Sequence, residues 1–111
     1  MTPEDVVRRQ LDAYNSHDLE GFLACYGEAA SIFRLPAPDP QLIGKTQLRE
    51  AYGTRFRIPT LRAEILNRMT LGNKVVDHER VHGLADTPVE VVAVYEVLED
   101  AIQRVWFHYP S

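Results

Sequence analysis

The sequence predicts an α+β domain, with helices gathered in its first half and antiparallel strands in its second. Three observations carry this. Up to about residue 56, apolar residues recur three and four apart, the spacing of one helix face. From about residue 61 they alternate, the period of a strand. Gly72-Asn73, Ala85-Asp86-Thr87-Pro88 and Glu99-Asp100 then cut the second half into four strand-length pieces. The 111 residues suit a single domain spanning 1–111, and 45% apolar with 25% charged residues is ordinary globular composition.

Thr2-Pro3-Glu4-Asp5 reads as a helix start: a capping hydroxyl, a proline at the first helical position and two acids at the positive helix end. Val7, Leu11 and Tyr14 continue this helix at the right spacing, and Asn15-Ser16-His17 breaks it. Asp18 is placed to cap a second, short helix carrying Leu19, Phe22, Leu23 and Tyr26, with Gly27 as its expected end. Residues 29–35 form a β-prone stretch, and Pro36, Pro38 and Pro40 make a stiff loop. After a brief extended Leu42-Ile43, a third amphipathic helix is expected from about Thr46, with Leu48, Ala51, Tyr52 and Phe56 on its face and Ile58-Pro59 stopping it. Four strands follow: Leu61, Ala63, Ile65, Asn67 and Met69 alternating in the first, then 74–84, 89–98 and 101–109. Helices segregated onto one face of such a meander leave room for a pocket between the layers.

Composition excludes several function classes. A net charge of −4 and a pI near 5.5 argue against nucleic-acid binding, which needs a cationic face. No apolar run approaches a membrane span, so no membrane association is expected. The first residues lack the basic start and apolar stretch of a signal peptide, and Cys25 is the only cysteine. Both point to a cytoplasmic protein without internal disulfides.

Three motifs invite over-reading. His78-Glu79-Arg80-Val81-His82 spells the zinc-protease pattern H-E-x-x-H, whose chemistry needs a helix to bring both histidines to one metal. Here it sits in a strand, where residues four apart are about 13 Å from each other. Zinc bonds of about 2 Å cannot bridge that, so no metal is expected. Gly44-Lys45-Thr46 resembles the tail of a phosphate-binding loop, but the glycine required five residues earlier is Asp39, so it is read as a helix start. Cys25 lies on or beside an apolar helix face without an identifiable histidine partner, as a small core residue does.

A family resemblance rests on four segments. They are Ala13-Tyr14-Asn15-Ser16-His17-Asp18 joining the first two helices, Phe22-Leu23-Ala24-Cys25-Tyr26 leading into the first strand, Gly44-Lys45 opening the third helix, and Ile102-Gln103-Arg104-Val105-Trp106-Phe107 near the end. Together they resemble the nuclear transport factor 2-like superfamily, closest to its SnoaL-like and steroid delta-isomerase-like branch, over nearly the whole chain. The resemblance implies a cone-shaped, cystatin-like α+β barrel: a curved antiparallel sheet wrapped around three N-terminal helices, with a pocket at the wide end and a homodimer through the outer sheet face. It does not supply a reaction, because members include isomerases, cyclases, dehydratases, epoxide hydrolases and non-catalytic binding domains. The delta-isomerase residues, a helix tyrosine, a base and a protonated oxyanion-hole aspartate, align with Gln10, Arg34 and Ala93. The limonene-epoxide hydrolase Arg-x-Asp pair aligns with Arg80-Val81-His82, and its last aspartate with Phe107. Neither set is complete.

Strand parity supplies the expected pocket lining. Val105, Phe107 and Tyr109 share one face of the last strand, and Val91, Ala93, Tyr95 and Val97 the more apolar face of the strand before it. In the 74–84 strand either Val75, Asp77, Glu79 and Val81 or Val76, His78, Arg80 and His82 face inward. A one-residue slip exchanges the sets. The first is favoured because Val81 then joins the apolar lining. Tyr14, Arg34 and Tyr52 complete the expected pocket, with Glu79 as acid or base, Arg34 pairing with and modulating it, and Tyr14 as hydrogen-bond donor. The expected ligand is a small apolar molecule, isomerised, cyclised, dehydrated or hydrolysed by general acid–base chemistry without a cofactor. A non-catalytic ligand-binding or dimerisation domain is the alternative. Trp106 beside Val92 and Val94, facing outward, would mark the dimer contact.

Overall fold

The computed structural model describes residues 1–110. Helix α1 (Pro3–Asn15) begins at the expected capping box: the Thr2 hydroxyl accepts from the Asp5 amide, and the Asp5 carboxylate accepts from the Thr2 amide. Helix α2 (Leu19–Ala24) is capped by Asp18, and α3 (Gly44–Arg55) starts two residues earlier than the sequence suggests. The strands are β1 (Tyr26–Arg34), β2 (Leu42–Ile43), β3 (Arg62–Leu71), β4 (Lys74–His82), β5 (Val89–Leu98) and β6 (Ala101–His108).

All six strands form one curved sheet in the order β2-β1-β6-β5-β4-β3. The second half is the expected antiparallel meander. The sheet as a whole is mixed, because β1 lies parallel to β6. It also stays open, with β2 and β3 at its edges, so the cone is an unclosed wrap rather than a barrel. The helices cover its concave face and close the core around Phe22, Ile32, Leu48, Val75, Ile102 and Val105, all buried.

Four local expectations need correction. Gly27 does not end α2: Cys25 is the C-cap, in right-handed geometry, and Gly27 already belongs to β1. Helix α3 ends at Arg55, before Ile58-Pro59, with Phe56 closing its last turn. Strand β4 stops at His82 because Gly83 turns the chain at φ +97°; a side chain there would meet the Leu61 backbone at 2.8 Å. In β3 a register shift between Ile65 and Asn67 inserts one residue. The alternation starting at Ala63 therefore changes face: Arg68 turns inward opposite Asp77, and Met69 turns out, 64% exposed.

The segment Asn15-Ser16-His17 has a structural meaning beyond breaking α1. The Asn15 amide group donates to the Ala63 carbonyl and accepts from the Ala63 amide, at 3.0 and 2.7 Å, as a neighbouring strand would. The His17 ring bonds the Leu61 carbonyl at 2.8 Å. These contacts pin the end of α1 to the start of edge strand β3, and so fix Tyr14 over the sheet.

Candidate functional site

Between the helices and the concave face lies a narrow pocket. The space between its lining atoms, mouth included, is ≈ 460 Å³, but the part a water molecule's centre can occupy is only ≈ 30 Å³. That is room for about two waters. Gln10, Leu11 and Tyr14 enter from α1, Phe22 from α2, and Tyr52 and Arg55 from α3. The sheet contributes Glu79 and Val81 from β4, Val91 and Tyr95 from β5 and Phe107 from β6, with Tyr109 just beyond.

The aromatic wall is one packed cluster. Tyr14 meets Phe56 edge-on at 5.3 Å between centroids, and Phe22 tilts against Tyr52 at 4.6 Å. Tyr14 and Tyr52 are thus core residues and pocket lining at once. Burial raises the pKa of both phenols, and the nearby Arg55 guanidinium opposes the rise.

Inner strand positions alternate strictly along β4: Val75, Asp77, Glu79 and Val81 are buried and their neighbours are half-exposed. The two carboxylates, two residues apart on one face, have different partners. Arg68 grips Asp77 with two bonds, Nε to Oδ1 at 2.6 Å and Nη2 to Oδ2 at 2.9 Å. Glu79 receives only the Tyr95 hydroxyl, at 3.3 Å. Burial first, and the Asp77 charge second, push the Glu79 carboxyl up to about 7; the Tyr95 hydroxyl and the more distant Arg68 and Arg55 pull the other way. A carboxyl titrating near neutrality in an apolar pocket can give or take a proton at little cost.

Of the residues named from the sequence, Tyr14, Tyr52, Glu79, Tyr95, Phe107 and Tyr109 meet in this pocket. Asp77, Ala93 and Val105 are inward and buried but do not line it. Asp77 and Ala93 share a cross-strand row with the pocket residue Phe107, and Val105 pairs with the pocket residue Tyr95. Arg34 is the clear departure. It stands exposed on the edge side of β1, with its guanidinium over the Tyr109 ring at 4.3 Å, and lines a separate surface hollow with the Leu35–Gln41 loop. It does not pair with Glu79; the hydroxyl of Tyr95 holds that carboxyl instead. β1 carries Arg34 at its far end, past the residues that face the core, so β1 parity alone could not have revealed this. Arg55, in the last turn of α3, is the charged pocket residue that the reading of the sequence missed, beside apolar ones such as Phe22 and Leu84. A basic residue one turn after Tyr52 is the only local signal for it.

The zinc-protease motif is divided by the strand. Glu79 points into the core, while His78 and His82 lie on the outer face, bonded to Glu90 at 2.7 Å and Glu64 at 3.3 Å. Among the described residues no group of three or more histidine, cysteine or acidic side chains is placed to hold a metal. No helix is long and apolar enough to cross a membrane. Cys25 is buried, and burial raises its thiol pKa.

Comparison with known proteins places this geometry. An uncharacterised cystatin-fold protein of Novosphingobium aromaticivorans superposes with a TM-score of 0.87 at 27% identity, covering 96% of this chain and 97% of that one. A candidate ketosteroid isomerase of Kribbella flavida gives 0.83 at 16% identity, over 98% and 78% of the two chains. A candidate polyketide cyclase of Sinorhizobium meliloti gives 0.79 at 17%, over 93% of each. At those lower identities the likeness is one of fold. No curated protein matches the sequence. The family model of the SnoaL-like domain matches residues 7–105, nearly the whole chain. With the cone, its three covering helices and the pocket at its wall, this match establishes that the chain belongs to the SnoaL-like domain family.

Proposed function

We propose that the chain binds a small, mostly apolar molecule across this pocket and the roomier hollow (≈ 240 Å³) that shares Tyr52, Arg55, Phe107 and Tyr109 with it, and moves a proton on it, with Glu79 as the acid–base group. One observation supports this most: a buried carboxyl without an ion-pair partner, titrating near neutral pH, is held by one hydroxyl inside a cavity lined mostly by aromatic and aliphatic side chains. Tyr95 orients the carboxyl from below. The Tyr14 hydroxyl, on the opposite wall, is the donor for an oxygen on which charge develops. The structural relatives described as a ketosteroid isomerase and a polyketide cyclase fit a reaction of this isomerase or cyclase kind. Steroid delta-isomerisation itself is disfavoured, because Gln10, Arg34 and Ala93 stand at the positions of its tyrosine, base and oxyanion acid. A 5-ene-3-ketosteroid should turn over little above background.

The test is a panel of small apolar ketones, enols and epoxides, followed for turnover and for thermal shift in wild type and Glu79→Gln. Turnover that falls by about 10²–10⁴ in the variant supports the reading. A compound that stabilises both proteins equally and turns over in neither identifies a non-catalytic binding domain.

The outer sheet face supports a second proposal, a homodimer. Phe33, Trp106, Val94, Val76 and Met69 form one cross-strand apolar row, with Phe33 and Trp106 stacked at 5.6 Å. Arg104, Glu96 and Lys74 flank it on one side; on the other comes the His108, Val92 and His78 row and then Glu90, Arg80 and Glu64, so charges of both signs surround it. A second copy turned about a two-fold axis meets the same mixture, so this face complements itself. Sedimentation should show a dimer that Val94→Lys dissociates; a wild-type monomer at about tens of micromolar, the range of weak dimers, would count against it.

A further inference from the structure

We infer that the pocket selects an anionic ligand: an apolar molecule carrying one carboxylate or enolate, with the Arg55 guanidinium as the group that recognises it. The inference rests on the pocket being a binding site, as proposed above, and goes further by assigning the charge of the ligand.

Arg55 is unlike the other arginines of the chain. Arg68, Arg80 and Arg55 are the ones not fully exposed among those facing either side of the fold's core layers. Arg68 has Asp77 and Arg80 has Glu64 as carboxylate partners. Arg55 has none among the described residues. Its guanidinium lies 5.0 Å from the centre of the Tyr52 ring; burial is the largest influence on it, followed by the phenols of Tyr52, Tyr14 and Tyr109, with Tyr14 also a hydrogen-bond partner. A guanidinium stays charged under all ordinary conditions, so this charge is partly desolvated with only ring faces and hydroxyls in return. Glu79 does not neutralise it: the two share the pocket but are not within ion-pair distance, and Arg55 is the last of the groups that influence the Glu79 carboxyl.

The position adds to this. Arg55 borders two adjoining hollows, the pocket itself and a second between α3 and the β1–β2 edge. Tyr52, Phe107 and Tyr109 border both as well. The charge is therefore set in an aromatic partition, with Tyr14 as its one side-chain hydrogen-bond partner and a hollow on either side. That is the geometry for two parallel bonds to a carboxylate whose apolar body lies against the rings. A neutral ligand would leave the guanidinium half-desolvated and unpaired, whereas an anion supplies the missing partner. While the Glu79 carboxyl is neutral, nothing else in the pocket repels a negative charge; Asp77 is already occupied by Arg68.

The experiment compares anions with neutral isosteres of the same shape. Benzoate and 2-naphthoate, and their amides benzamide and 2-naphthamide, are titrated calorimetrically into wild type, Arg55→Met and Arg55→Lys at about pH 6, where the carboxylates are ionised. Circular dichroism and urea midpoints first establish that the variants are folded. Wild type should bind a carboxylate about tenfold to hundredfold more tightly than its amide, the range of a charge-assisted contact. Arg55→Met should lose that preference, and Arg55→Lys should keep part of it. Equal affinity for acid and amide in wild type, or a preference that survives Arg55→Met, overturns the inference and leaves the pocket standing as a site for neutral ligands. Failure of all four compounds to bind wild type at millimolar concentration would overturn the reading of the pocket as a binding site and this inference with it.

Discussion

Asp77 and Glu79 stand two residues apart on the same face of β4, both buried, yet the fold treats them differently. Around Asp77 the interior is complete. Two short bonds from Arg68 offset the loss of hydration, and the pair closes the core beneath the pocket. Around Glu79 it is incomplete: one hydroxyl at 3.3 Å and an apolar wall, so the carboxyl holds its proton to about pH 7. Burial is therefore not what separates a structural carboxylate from a chemically available one. The arrival of a cation is, and here it is decided by which residue of the neighbouring strand β3 faces inward.

The largest test of this contrast removes the cation. Arg68→Leu leaves Asp77 charged, 1% exposed and unpaired, and should destabilise the fold by about 3–5 kcal/mol. Replacing both partners, Arg68→Leu with Asp77→Leu, should recover most of that loss, because no charge is then stranded. Chemical denaturation of the two variants distinguishes the outcomes. If the single variant costs no more than a surface change, Asp77 is not held as described.

The next test uses pH. The Glu79 pKa is higher in the folded chain, about 7, than the ordinary 4.5, so the native state keeps a proton that the unfolded chain releases. Its contribution is greatest below about pH 4.5, falls as pH rises toward 7 and is flat above that. The difference amounts to about 3 kcal/mol. Glu79→Gln should remove this slope: nearly wild-type stability at low pH, and greater stability than wild type at pH 8. Parallel stability curves for the two proteins from pH 4 to 8 would show that Glu79 is not the desolvated group.

The smallest expected effect belongs to Tyr95. Its hydroxyl favours the charged form of Glu79, so Tyr95→Phe should raise the Glu79 midpoint further. The lost bond should lower stability by about 0.5–1.5 kcal/mol. Following the carboxyl signal by NMR titration checks the direction; a midpoint that falls would mean that the hydroxyl holds the neutral acid instead.

Much of this architecture is legible in the residues alone because its causes are local. Thr2 and Asp18 bond amides within their own first turns, Gly72-Asn73 turns the chain between adjacent strands, and the alternation of Val75, Asp77, Glu79 and Val81 is a property of the pleat. The same alternation shows that H-E-x-x-H, lying in a strand, cannot present its glutamate and its histidines to one ion. The tertiary structure decided the rest, because those energies come from neighbours distant in the chain. The inserted residue after Ile65 turned Arg68 toward Asp77, against the period that begins at Ala63. The parallel pairing of β1 with β6 carried Arg34 to the rim, onto Tyr109 and away from Glu79. The docking of α3 brought Arg55 to the pocket wall. Periodicity determines which side of a strand is buried; only packing determines which buried charge meets a partner, since a side chain's field acts over a few ångströms of space and not along the sequence.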